Sequence, residues 1–149
     1  MQLDLSYLPD EDRMRLSLRG HADWLITRRM LIRLVSAWVQ KLEEVDLPEV
    51  GFSLGKRDVG MEHELSLEFD APQATSYRPA VQTEGILLSE VTMTVDETST
   101  QVVFKGDGKQ SSMTLTRKES HMVLELLASK ARAVNWVDES TWPQWLGQV

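Results

Sequence analysis

The chain has 149 residues, of which 42% are hydrophobic and 26% charged, with a net charge of −7 and no cysteine. That composition fits one globular domain, or two small halves sharing a core. It excludes disulfides, thiolate metal sites and cysteine nucleophiles, and no apolar run approaches the ~20 residues of a membrane-spanning helix.

From the start, Leu3, Leu5 and Tyr7 alternate with polar residues, which predicts a first strand at about 2–8. The opening MQLDLSYLPDEDR has neither the basic nor the apolar region of a secretion signal, so a cytoplasmic protein is expected. Pro9-Asp10-Glu11-Asp12 is turn chemistry. Met14, Leu16 and Leu18 then alternate with Arg13, Arg15, Ser17 and Arg19, a second strand with one wet, basic face. Gly20-His21-Ala22-Asp23 turns the chain into a short third strand, Trp24-Leu25-Ile26. Thr27 is placed as an N-cap. Leu31, Leu34, Val35, Trp38, Leu42 and Val45 follow at three- and four-residue spacing, predicting a helix over about 28–45 with a buried stripe, stopped by Pro48.

Residues 48–60 are a Gly-rich connection with a short strand at Phe52 to Leu54. Met61, His63, Leu65, Leu67 and Phe69 alternate with Glu62, Glu64, Ser66 and Glu68, the pattern of a strand. Residues 70–83 hold two prolines and no periodicity and are expected to form a mobile loop. A long strand over Ile86 to Val95, another over Thr100 to Lys105 and a third over Ser111 to Leu115 come next. Thr116 and Glu119 have capping-box spacing and open a helix of about 117–134. The tail carries Trp136, Trp142 and Trp145.

The two ends of the chain match. Leu5 to Gly20 and Val91 to Gly106 are each a strand-like run, an Asp-Glu turn and a second run ending in a basic residue and Gly. Asp10-Glu11 stands 86 residues before Asp96-Glu97, and Thr27-Arg28-Arg29 stands 89 before Thr116-Arg117-Lys118, so the second copy holds three extra residues, placed in a turn at 107–110. The expected architecture is therefore a single α+β domain over 1–149 with two pseudo-repeated antiparallel βββα units, one helix packed on sheet in each. The units span about 2–46 and 84–134, joined by an extra strand and a loop at about 47–83, with a Trp-rich tail at 135–149.

Chemistry is harder to find. His21, His63 and His121 have no mutual metal-ligand spacing, and on a strand His63 would point away from Glu62 and Glu64. Gly51-Phe52-Ser53-Leu54-Gly55 has the G-x-S-x-G spacing and Ser53 to Lys56 the S-x-x-K spacing, but the run is not framed by a parallel strand and a helix and is read as a turn. Gly51 to Lys56 misses the Walker spacing by one residue, and Arg57 stands where Ser or Thr belongs. Neither catalytic residues, nor a metal, nor a cofactor is expected. Two sets remain as candidates. Trp136, Trp142 and Trp145 form an aromatic anchor for a partner or second subunit, or a staple on the core. Arg13, Arg15, Arg19, Arg28, Arg29, Arg33, Arg117 and Lys118 form an anion or nucleic-acid set, because cations at two matched helix N-termini oppose the helix dipole.

At the level of topology, paired sheet-helix repeats resemble the Whirly and PUR-repeat single-strand nucleic-acid binders, which build two ββββα units. That resemblance implies nucleic-acid binding. Against it, residues 51–100 hold three basic and nine acidic side chains, and phosphate binding rests on positive charge. The expectation is a non-catalytic protein-interaction or assembly module, self-associating, with single-stranded nucleic-acid binding as the alternative.

Overall fold

The computed structural model describes residues 3–18, 20–44, 59–68 and 85–147. Arg19, Val45, the strand expected at Phe52 to Leu54 and the loop expected at 70–83 lie outside the described residues. Within them the chain is α+β, with seven strands and three helices.

β1 (Leu3–Leu8), β2 (Arg13–Leu18) and β3 (Asp23–Thr27) form an antiparallel meander. Alternation sends Met14, Leu16 and Leu18 into the core. β3 also pairs, in parallel, with the short β4 (Ile86–Leu87). The second sheet is the meander β5 (Glu90–Val95), β6 (Ser99–Gly106) and β7 (Lys109–Thr116). The long strand expected over Ile86 to Val95 thus breaks at Leu88-Ser89. There the Leu88 N–H donates to the Leu25 carbonyl and the Ser89 N–H to the Lys105 carbonyl, so one run of chain serves both sheets. The turn before β7 is only Asp107-Gly108, both at positive φ, as a two-residue hairpin of this kind requires.

Each meander runs into a 17-residue helix, α1 (Arg28–Glu44) and α3 (Arg117–Ala133). The Thr27 hydroxyl accepts from the Met30 N–H at 3.2 Å and so caps α1. Thr116 and Glu119 make both bonds of the capping box at the start of α3. Neither helix serves one sheet alone: α1 packs on β3 and β5, α3 on β6, β7 and β1, and the two helices touch. The core between them is continuous, from Leu16 and Trp24 through Trp38 and Phe104 to Leu127. Trp38 is fully buried there, so Trp38→Ala is expected to cost ~3–5 kcal/mol in urea unfolding. A loss under ~1 kcal/mol would put this residue outside the cooperative core.

One expected element is wrong. The segment read as a linking strand is a helix, α2 (Val59–Glu68). His63 is only 1% exposed and Ser66 9%, while Met61 and Leu65 are each 59% exposed. His63 turns inward because α3 supplies partners for it, and Ser66 turns inward with its hydroxyl donating to the Glu62 carbonyl of its own helix. The apolar side chains at 61 and 65 turn outward, and helical spacing puts them on one face. Odd-numbered apolar residues mimic a strand when a helix is built inside out in this way.

Candidate functional site

Where α2 packs on α3, four titratable side chains line up end to end. His121 sits in the first turns of α3 and Glu125 one turn further, so both project from one face. Glu62 and His63 enter from α2. Glu62 Oε1 stands 2.7 Å from His121 Nε2, the two Nδ1 atoms of His121 and His63 are 2.9 Å apart, and His63 Nε2 is 2.7 Å from Glu125 Oε1. His63, His121 and Glu125 are essentially inaccessible, and the Glu62 side chain is 22% exposed. The imidazole rings meet edge to face, 5.0 Å between centroids.

The ends of the chain are anchored. Arg117 donates to Glu62 at 2.7 Å and to the Asp96 carbonyl at 3.2 Å, which ties α2 to the β5–β6 turn. Glu125 accepts from the Ser129 hydroxyl at 2.6 Å and from the Gly147 N–H at 2.9 Å. Trp145 lies over His63 at 4.9 Å. A Cβ on Gly60 would sit 3.0 Å from the Trp145 ring, so glycine there lets the indole close over the helix.

Proton counting fixes the chemistry. Each of the three contacts needs one proton between its two atoms. The chain therefore holds three, one more than two carboxylates and two neutral imidazoles carry. Burial pushes the Glu62 carboxyl up, but hydrogen bonds from His121 and Arg117 and the Arg117 charge outweigh it and hold it at about 2. Burial holds the His121 imidazole below its ordinary value against the pull of Glu62. Hence Glu62 is ionised and His121 is neutral, donating through Nε2 and accepting at Nδ1. His63 then donates from Nδ1, and the surplus proton lies between His63 and Glu125. With two other donors on Glu125, this end of the chain is a fully buried, hydrogen-bonded histidine–carboxylate pair.

This arrangement predicts acid lability. Below pH 6.5 the unfolded chain protonates His121 while the folded chain resists. Below 4.5 the same holds for Glu62, whose folded carboxyl titrates at about 2. In both cases the unfolded state binds more protons, so stability falls as pH falls. The melting temperature is expected to decline from about pH 6.5 downward and more steeply below about 4.5; a flat profile between pH 7 and 4 would contradict the assignment.

All four ring nitrogens of His63 and His121 are taken up in this chain of contacts, while His21 stands apart and exposed. Among the described residues no three His, Asp or Glu side chains are placed to hold a metal ion, and a Nδ1–Nδ1 separation of 2.9 Å is that of a shared proton. The reading of Glu62 as a solvated strand residue and His63 as half-buried is therefore corrected. Glu125 was not singled out at all. The i, i+4 spacing of His121 and Glu125 was the available signal, together with a carboxylate inside the apolar run Val123-Leu124-Glu125-Leu126-Leu127.

Beside His63 and Glu125 opens a cleft of about 1180 Å³, walled by α2 (Met61, Leu65, Leu67), by the tail (Trp145, Gly147) and by Arg132. Of the aromatic candidates, only Trp145 lines it. Trp136 and Trp142 are each 5% exposed in their own chain. Trp136 donates to Asp12 at 2.8 Å, meets Tyr7 edge on at 6.0 Å and lies under Arg28; Trp142 donates to Ser36 at 3.1 Å. The basic candidates do not gather here. Arg15 is buried against Asp23 and Arg117 against Glu62, so the face read as wet and basic is not one at Arg15. Arg13 is half-buried on β2, Arg28, Arg29 and Arg33 are exposed on α1, and Lys118 is exposed on α3.

Among the described residues no helix is long and apolar enough to cross a membrane. No protein-family model matches the chain, and no curated protein or solved structure matches it.

Proposed function

We propose that this chain is a non-catalytic interaction module that associates with a second copy through the outward face of α2. The observation that carries the reading is the inversion of that helix. Met61 and Leu65, one turn apart, are each 59% exposed, while the inward face is held by a buried histidine–glutamate chain. A helix that turns His63 and Ser66 to the interior and Met61 and Leu65 to the surface gains nothing from water on those two side chains. A covering partner gives the pattern a physical purpose. The engagement of both ring nitrogens of His63 and of His121 favours a structural role for these two histidines over a catalytic one.

The test is sedimentation of the wild type and of Met61→Ser/Leu65→Ser. The double change is expected to weaken association at least about a hundredfold, since each lost apolar burial is worth ~1.5 kcal/mol or more. Its melting temperature should stay near that of the separated wild-type subunit. A wild type that remains monomeric at roughly 0.5 mM, a Kd weaker than any specific assembly here would have, would sink the reading. Binding of a labelled single-stranded oligonucleotide that weakens steeply with salt would instead favour the nucleic-acid alternative.

The finer architecture belongs here too. We read β1–β2–β3–α1 and β5–β6–β7–α3 as a duplicated unit, supported by two meanders of the same strand order and two helices of equal length that open on basic residues. Superposing 5–44 on 91–133, without 107–108, should overlay both helices and at least two strands per unit.

A further inference from the structure

Arg132 is an unused cation in a cleft. It lies in the last turns of α3, two turns beyond Glu125 on the same side of the helix. Its Nε and Nη2 atoms are buried, and among the described residues neither has a hydrogen-bond partner. Gly147 covers the guanidinium so closely that a Cβ there would stand 2.6 Å from Nε. Guanidinium stays charged at any working pH, and a partly buried charge without a counter-ion is costly to hold. The acid nearest along the helix, Glu125, is already engaged by His63, Ser129 and Gly147. The cleft that Arg132 lines also carries Glu64 and Glu139, both exposed, and the apolar Met61, Leu65 and Trp145.

Glu64 is the informative one. It lies on α2 between Met61 and Leu65, so any surface that covers those two covers it as well. In a twofold contact one patch meets its own copy, and each residue i that meets j is matched by j meeting i. We infer that the cleft face is self-complementary: α2 of one copy enters the cleft of the other, and Arg132 of each subunit pairs with Glu64 of the partner subunit. The pairing gives the orphan guanidinium a carboxylate, removes Met61 and Leu65 from water, and fixes the register of the two copies. It rests on the association reading above and adds the chemistry that sets its geometry. A foreign partner of random charge would answer Arg132 but would not also require the outward-facing Glu64 beside it.

Charge reversal tests it. Glu64→Arg and Arg132→Glu are each expected to raise the dimer Kd at least about tenfold, the lower end for a close interfacial charge pair. An equimolar mixture of the E64R and R132E copies restores both pairs in the heterodimer, so it is expected to associate within about threefold of wild type. Because a carboxylate at position 132 stands near Glu125, the series is repeated with Arg132→Gln and Glu64→Gln. There the double variant should lose no more than the worse single one. Single reversals that leave the Kd unchanged, or well-folded variants whose mixture stays monomeric, would overturn the inference. If M61S/L65S breaks the dimer while E64R does not, the association reading stands and the Arg132–Glu64 pairing falls. If the wild type does not dimerise at all, both fall.

Discussion

Glu125→Ala is expected to cost about 3–5 kcal/mol, the range for removing one member of a buried ion pair. The carboxylate accepts from His63, Ser129 and Gly147 at 2.6–2.9 Å and is fully buried. Its loss leaves an imidazole N–H, a hydroxyl and a backbone N–H without their acceptor, in a place where water has little access. The protein then carries buried unsatisfied donors or lets α2 move off α3. Either outcome reads as loss of stability in denaturant unfolding at pH 7. A double-mutant cycle identifies the source. If the cost arises from stranding His63, then His63→Ala/Glu125→Ala should be destabilised by clearly less than the sum of the two single changes. Additive losses would mean that the two groups do not share a proton. Replacing the whole chain with well-packed apolar residues is a different experiment and would be far milder, since what costs most is the unmatched charge and not the absence of the pair.

The same chain of residues explains what could be read from the sequence and what could not. α1 was legible because its buried residues, Leu31, Leu34, Val35, Trp38 and Leu42, are apolar and recur at helical spacing. α3 was legible because a capping box announces its start and a local hydrogen bond needs no knowledge of the rest of the fold. The β2 core face followed from simple alternation, although Arg15 is buried by its pairing with Asp23, which alternation cannot foresee. α2 failed for a reason intrinsic to pattern reading. Its inward residues, His63 and Ser66, are polar, and its outward ones, Met61 and Leu65, are apolar, so the hydrophobic pattern points to the wrong face and, with Leu67 and Phe69, to the wrong period. Only the tertiary pairing with His121 and Glu125 makes a helix the better answer, and those partners lie 58 and 62 residues away. The charged site was hidden by the same long range. Arg117 was noticed as a cation placed against a helix dipole. Its role is now concrete: it pairs with Glu62 and holds the β5–β6 turn through the Asp96 carbonyl.

Truncation after Val134 is expected to be the most damaging change of all. The tail buries Trp136, Trp142 and Leu146 to 5% exposure or less. At ~1.5–3 kcal/mol for each large apolar side chain, their loss removes on the order of 5 kcal/mol or more, comparable with the whole stability of a small domain. Specific bonds go with them. The Trp136 indole N–H no longer reaches Asp12, the residue that turns β1 into β2 and stands at positive φ. The Trp142 indole no longer reaches Ser36 on α1. Without Gly147 and Trp145, Glu125 loses a donor and His63 loses its cover. The tail thus closes contacts with the first hairpin, with α1 and with the buried histidine chain at once, and its removal should be felt in all three places. Calorimetry is expected to show a melting temperature lower by at least ~15 °C or no cooperative transition, and light scattering of any folded remainder reports its mass. A truncated protein that melts like the full chain but has lost its partner copy would make the tail an interface anchor instead. One that changes neither melting temperature nor mass would mean that the three tryptophans pack on nothing that matters to the fold.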